Sequence, residues 1–156
     1  MRIVLALIGL AVLGLVAWVR LAPSDAAAWH VDPVSAQPPG PGGWKVGEAP
    51  ADAEAPVFAA TPEAVLEALD AVAGETPRTV RLTGSPGEGR ITYVTRSRIW
   101  GFPDYTTAAA TPVDGGARLT LLARLRFGGS DMGVNRARVE DWTLRVAERL
   151  DPPSGT

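Results

Sequence analysis

The first apolar run of the chain covers seventeen residues without a charge, from Ile3 to Val19. As a helix this run would be about 26 Å long, close to the hydrocarbon core of a bilayer at about 30 Å. Trp18 and Arg20 close the run, and this pairing is typical of a helix end at a membrane surface. The pattern predicts a transmembrane anchor over residues 1–20. The alternative is a signal peptide cleaved after the small residues Ala26-Ala27-Ala28.

The charges on either side of this run indicate its orientation. The amino terminus and Arg2 precede it and Arg20 follows it, so a small excess of positive charge favours the N-terminus inside. We therefore expect a single-pass protein of the cytoplasmic (inner) membrane, with the remaining residues on the extracytoplasmic side. Cleavage of the segment would leave that compartment unchanged.

Residues 21–55 show no apolar periodicity. They begin with Trp29-His30-Val31-Asp32-Pro33, a strip suited to rest on lipid head groups or to dock a membrane partner. Six prolines between Pro33 and Pro56 then predict a semi-rigid extended linker. At about 3.1 Å per residue, this linker would hold a domain up to roughly 70 Å from the bilayer. Trp44 offers an alternative, because docking of its ring on the domain would shorten that reach.

Periodic patterns predict one domain over residues 56–150. Thr61-Pro62-Glu63 is a strong helix start, apolar residues follow at helical spacing, and Gly74 is a natural terminator. A second helix is expected over Val134 to Leu150, and a disordered tail is expected over residues 151–156. The predicted strands are Pro56–Ala60, Arg78–Thr83, Arg90–Phe102, Tyr105–Thr111 and Ala117–Phe127.

This order of elements predicts an α+β fold. An antiparallel sheet of about four to five strands would carry two helices packed on one face. The order resembles that of a shortened helix-grip domain, a shape often used to hold lipids and other apolar ligands.

Alternation along two strands places arginines on one side of the sheet. Arg96 and Arg98 share a side, as do Arg124 and Arg126, and the latter pair lies opposite Leu121 and Ala123. If both pairs face the same way, four guanidinium groups converge on the side away from the helices, where they suit phosphate or carboxylate. A solvated face with arginine–acid pairs across strands is the alternative.

A glycine-rich turn runs from Phe127 into the last helix, where unpaired backbone N–H groups can hold an anion or be capped. Ser130 or Asp131 is a candidate cap, and Asp104 is a candidate partner for Arg96 or Arg98. The candidate ligand-binding residues are Arg96, Arg98, Asp104, Tyr105, Arg124, Arg126, Ser130, Asp131, Asn135 and Arg138.

Composition narrows the possible chemistry. The chain has no cysteine, which excludes disulfides, thiolate metal sites and cysteine nucleophiles, and it has a single histidine, His30, which excludes a histidine-rich metal site within one chain. We find no motif for a phosphate loop, a dinucleotide or a metal, so we expect no cofactor and assign no catalytic residue. Residues 78–150 carry a net charge of +5, but without lysine or interleaved aromatics they do not suggest nucleic acid.

Three segments carry a resemblance to a known family. They are Arg96-Ser97, Gly101-Phe102-Pro103-Asp104-Tyr105 and the block from Arg126 to Val139. Residues 56–150 resemble the bacterial and plastid family called domain of unknown function 1499, and Leu21–Asp25 with Trp29–Pro33 resemble its membrane-anchored subset. Family members tend to carry serines around the arginines of the last strand, where this chain has Ala123 and Leu125. The resemblance implies architecture and location, and no activity.

The sequence favours a non-enzymatic module of the cell envelope. It would bind an anionic or amphipathic component, such as an anionic lipid or small molecule, or a membrane protein partner. One alternative is an enzyme acting on phosphate or carboxylate groups, with Asp131 or Asp104 as acid and base. The other is a structural envelope factor.

Overall fold

The computed structural model describes residues 1–151; the predicted tail, apart from Asp151, lies outside the described residues. Helix α1 covers Arg2–Leu21 and is long and apolar enough to cross a membrane, a test that a signal sequence also passes. Its first fourteen residues are exposed, whereas Val19 is buried against the rest of the chain. The helix therefore projects from the domain and contacts it only through its C-terminal turns.

Seven strands form one sheet in the order β2-β1-β7-β6-β5-β4, and β3 also pairs with β7. All pairs are antiparallel except β1 with β2. The strands are β1 (Trp44–Gly47), β2 (Ala53–Glu54), β3 (Val57–Phe58), β4 (Thr79–Ser85), β5 (Arg90–Arg96), β6 (Pro103–Val113) and β7 (Gly116–Leu125).

Helices α3 (Pro62–Glu75) and α4 (Val134–Leu150) pack on one face of this sheet, and α2 is a single turn over Ala26–Trp29. Trp142 of α4 is fully buried against Tyr93 of β5, with ring centroids 5.4 Å apart at an angle of 83°. Its indole N–H donates to the Thr76 hydroxyl (2.9 Å). The remaining core side chains on this face include Val65, Leu66, Leu69, Val72, Leu119, Leu121, Val139 and Val146.

The predicted α+β class is confirmed, with differences in the elements. Seven strands replace the expected four to five, because the unpredicted short strands β1 and β2 extend the sheet. The predicted strand Arg90–Phe102 ends at Arg96, and residues 97–102 form a loop before β6 begins at Pro103. Gly74 lies inside α3, whose end is instead capped at Thr76: its N–H bonds to Ala73 O and its hydroxyl to Val72 O.

The segment interpreted as an extended linker takes part in this sheet. Strand β1 pairs with β7, and the Lys45 side chain is buried to 1% exposure. Its ammonium group donates to the carbonyls of Val34 and Ala36, so a buried charge is solvated by backbone of the preceding residues. The chain before β1 is thereby held against the domain.

Candidate functional site

The second sheet face, away from α3 and α4, is covered by residues 22–36, which we call the strap. The Trp29 ring stacks on the Tyr105 ring of β6, with centroids 3.8 Å apart and planes 9° from parallel. Tyr105 is fully buried, and its hydroxyl lies 2.8 Å from the Ser24 hydroxyl. One aromatic pair thus forms the centre of the contact between strap and sheet.

A chain of hydroxyl groups extends this contact. The Thr107 hydroxyl donates to Trp29 O (3.0 Å) and lies 3.0 Å from the Thr92 hydroxyl, which lies 2.9 Å from His30 Nδ1. Each group finds a partner if His30 carries its proton on Nδ1. Burial lowers the pKa of His30, and the positive charge of Arg90 lowers it further, so the neutral ring is favoured.

Two candidate arginines fasten the strap to the sheet. Arg124 donates to Trp29 O, and its guanidinium carbon lies 4.9 Å from the centre of the Trp29 ring. Arg126 donates to Pro23 O (2.9 Å) and to the Tyr105 hydroxyl (3.0 Å). Burial lowers the pKa of Arg124. These side chains bind neutral groups of the protein itself, and the buried Arg124 Nε–H finds no hydrogen-bond partner among the described residues.

Three further arginines surround the loop between β5 and β6, residues 97–102. Arg20, in the last turn of α1, donates to Ile99 O (3.1 Å) and Trp100 O (3.4 Å). Arg96 donates to Gly101 O (3.0 Å), and Arg98 is exposed within the loop. Trp18 and Phe127 pack edge to face at 5.6 Å beside it. The C-terminal end of α1, the loop and the end of β7 therefore meet at one end of the sheet, which we call the arginine end.

The positive charge at the arginine end is not neutralised within the residues that the structure describes. None of Arg20, Arg96, Arg98, Arg124 and Arg126 lies within 4.0 Å of a carboxylate there, although six such pairs involve other arginines. Uncompensated guanidinium groups that share one small region favour an anion.

The remaining candidates lie on the opposite, helix-covered face. Arg138 of α4 is buried to 9% exposure and donates to the Thr106 hydroxyl (3.2 Å) and to the Asn135 amide oxygen. Asn135 in turn donates to Gly42 O (2.7 Å). Burial raises the pKa of the neighbouring Asp104 to about 6, although the positive charge of Arg138 opposes that shift. This buried cluster ties α4 to β6 and to the chain before β1.

Ser130 and Asp131 act locally. The Asp131 carboxylate accepts from the N–H groups of Gly133 (2.9 Å) and Asn135, and the Ser130 hydroxyl accepts from Met132 N–H (3.2 Å). Both side chains therefore organise the turn before α4.

The chain matches the family described as protein of unknown function (DUF1499) over residues 30–146. It belongs to this family. No curated protein and no solved structure matches the chain. The family match confirms the resemblance carried by the sequence. The matched region begins at His30, within the strap.

The DUF1499 sheet divides the ten candidate residues into separate groups. Register places Tyr105 and Arg124 side by side on the strap face, and Arg96 and Arg126 end on that same face. Asp104, Asn135 and Arg138 lie on the other face, and Ser130, Asp131 and Arg98 lie in turns. An enzyme that combines Asp104 or Asp131 with the strand arginines would need both sets on one face.

Sequence reasoning missed two residues of the arginine end and its neighbourhood. Arg20 was interpreted only as the end of the apolar run, and Trp29 only as part of an interfacial strip. The sequence marked Trp29 only as part of the strip Trp29–Pro33, and it could not indicate the stacking partner Tyr105, which is 76 positions away.

Elsewhere, Glu48 and Arg118 line a surface cleft of about 720 Å³ that none of the candidate residues lines. No cluster of three metal-ligating side chains occurs within residues 1–151.

The raised pKa of Asp104 predicts a pH-dependent stability. Its pKa is about 6 in the folded protein and 3.8 ordinarily, so folding disfavours its charge. Stability from the neutral carboxyl is complete below about pH 4 and is lost as pH rises through 6, by at most about 3 kcal/mol. Asp104→Asn should remove this loss, which is measured as the difference in free energy of unfolding between variant and wild type from pH 4 to 8.

Comparison with the variant is needed because His30 acts in the opposite direction over part of this range. Its lowered pKa removes stability as pH falls below about 6.5. The control is Asp114→Asn in the exposed β6–β7 turn, for which we expect a constant difference across the range. A constant difference for Asp104→Asn as well would contradict the prediction.

Proposed function

We propose that α1 anchors the chain in the cytoplasmic membrane as a single-pass protein, with the DUF1499 domain on the extracytoplasmic side. The length and composition of α1 support the anchor. Two positive charges before the apolar run, the N-terminal amine and Arg2, against Arg20 after it support the orientation. Because the strap is packed along the sheet, the domain lies directly beside the end of α1.

We further propose that the domain is a non-enzymatic module that binds an anionic amphiphile at the arginine end. The observation that carries this proposal is the absence of acidic partners, within residues 1–151, for the five arginines there. A phosphate group at this end would accept forked hydrogen bonds, and the adjacent apolar helix would contact the rest of an amphiphile. Among envelope components, an anionic phospholipid combines these two properties.

The experiment is native mass spectrometry of the full chain, extracted in mild detergent with equal amounts of phosphatidylglycerol and phosphatidylcholine. We expect preferential retention of phosphatidylglycerol. Arg98→Gln should reduce the ratio of the two retained lipids about fivefold, since one surface charge contributes about 1 kcal/mol to binding of anionic lipid. Arg98 donates to no group among the described residues, so the variant leaves the fold intact.

Arg149→Gln is the matched control, because it removes one exposed arginine at the end of α4, far along the chain from the arginine end. Its lipid ratio should equal that of the wild type. Equal retention of both lipids by the wild type, or equal ratios in the two variants, would reject the proposed site.

A further inference from the structure

The loop between β5 and β6 presents apolar side chains that the protein does not cover. Ile99 is 72% exposed and Trp100 48% exposed, at the tip of a loop whose other side chains include Arg98 and Phe102. Exposed large apolar residues grouped at one loop tip indicate an interaction surface. Their neighbour is the apolar helix α1, which is itself exposed over most of its length.

A groove of about 270 Å³ separates this loop from α1. Val12, Leu15, Val16 and Val19 line one side, and Trp100 and Phe102 line the other. All six side chains are apolar, so water in the groove would lack hydrogen-bond partners. The loop therefore lies alongside α1 from Val12 to Val19, a span of about 10 Å along the helix axis.

If the whole length of α1 spans a membrane, the β5–β6 loop cannot lie outside that membrane. Twenty helical residues span about 30 Å, which equals the thickness of a hydrocarbon core. If α1 crosses the bilayer, a loop beside Val12 to Val19 lies below the level at which α1 leaves it. Keeping the loop in water would instead expose the apolar end of α1.

Five carbonyl groups of the loop are hydrogen-bonded within the protein, which suits a location in lipid. Polar backbone groups must be paired where water is scarce. Arg20 accounts for Ile99 O and Trp100 O, and Arg96 accounts for Gly101 O. Ser97 O accepts from Gly101 N–H and Phe102 O accepts from Ser97 N–H, at 3.1 and 2.9 Å. Carbonyls that an exposed loop would normally leave to water are here bonded to the protein.

We infer that the β5–β6 loop is a second membrane contact of this protein: Ile99 and Trp100 insert into the lipid leaflet around the C-terminal half of α1, and lipid acyl chains fill the groove. Trp100 and Trp18 then lie at the membrane interface, where tryptophan is favoured. Arg98 extends toward the phosphates from the same loop. The inference rests on the proposed anchoring by α1, and it names the bilayer itself as the occupant of the groove.

The chain has no cysteine, so single cysteines can carry a nitroxide probe without background. The full-length variants Ile99→Cys, Leu10→Cys and Leu144→Cys are reconstituted in vesicles of phosphatidylglycerol and phosphatidylcholine. Collision of each probe with oxygen is compared with collision with a water-soluble nickel complex. Leu10 lies mid-way along α1 and Leu144 is exposed on α4, so they mark the lipid core and the aqueous phase.

We expect an oxygen-to-nickel collision ratio for Ile99→Cys several-fold above that of Leu144→Cys and approaching that of Leu10→Cys. A ratio equal to that of Leu144→Cys, with a high ratio at Leu10, overturns the loop insertion and leaves the anchor standing. A low ratio at Leu10 rejects the anchor itself. An immobilised probe at Ile99 that neither reagent reaches indicates a protein occupant and also overturns the inference.

Discussion

Tyr105→Ala should lower the free energy of unfolding by about 3–5 kcal/mol, in the range of aromatic truncations in a core. Tyr105 is fully buried, and its ring carries the stack with Trp29 while its hydroxyl meets Ser24 and Arg126. Removing the ring therefore has two effects: it leaves a cavity, and it releases the strap from the sheet. The measurement is denaturant unfolding of the full chain in detergent.

Hydrogen exchange separates the two effects. In Tyr105→Ala, the backbone amides of the strap should exchange much faster, while those of α3 and α4 keep their protection at low denaturant. Tyr105→Phe is the matched control, since it keeps the ring stack and should cost only about 1 kcal/mol. Unchanged exchange in the strap of the alanine variant would show that the stack does not hold it.

Arg138→Met should destabilise the protein by about 3–5 kcal/mol at pH 7, as expected when a buried positive charge that compensates a neighbouring buried carboxylate is removed. The substitution leaves the Asn135 amide oxygen without its donor and Asp104 without the positive charge that favours its ionised form. The penalty should shrink toward pH 5, because Asp104 is then largely protonated. Unfolding by denaturant at the two pH values measures both effects.

Two variants make this result interpretable. Arg138→Met combined with Asp104→Leu should recover most of the lost stability, because apolar replacement of a whole buried pair is often neutral. Arg136→Met changes an exposed arginine of the same helix, paired with Glu140 at 2.8 Å, and should cost at most about 1 kcal/mol. An equal loss in the two single variants, or no recovery in the double variant, would contradict the assigned electrostatic coupling of Arg138 and Asp104.

Local patterns predicted the elements that local chemistry dictates. Thr61 caps α3 through Ala64 N–H, and alternation along β7 placed Arg124 opposite Leu121. The loop before β6 was misjudged as strand because the pattern of β5 was extended as far as Phe102. Ser97 and Arg98 are both polar and Ile99 and Trp100 are both apolar, so the alternation breaks where these exposed side chains leave the sheet.

Other features depend on contacts far apart in sequence. Four residues of β1 among prolines and glycines carry little strand signal, and they become a strand only because β7 offers an unpaired edge. Arg138 has the polar, surface-like appearance of its neighbours in α4, and its burial follows from Thr106 and Asn135 lying beneath it. Alternation could place the arginines of the strap face on one side of the sheet. It could not predict their hydrogen bonds to the strap, which precedes them by about 100 residues.

The bond from Arg126 to Pro23 O begins only two residues after α1 ends. A domain held so close to its anchor has no flexible linker, so the helix sets its distance from the membrane and its tilt. With α1 in a bilayer, the domain can contact only molecules within about one domain diameter of the membrane surface. Soluble components of the compartment must then come to the membrane to meet it, and encounters with other membrane-bound molecules become two-dimensional searches.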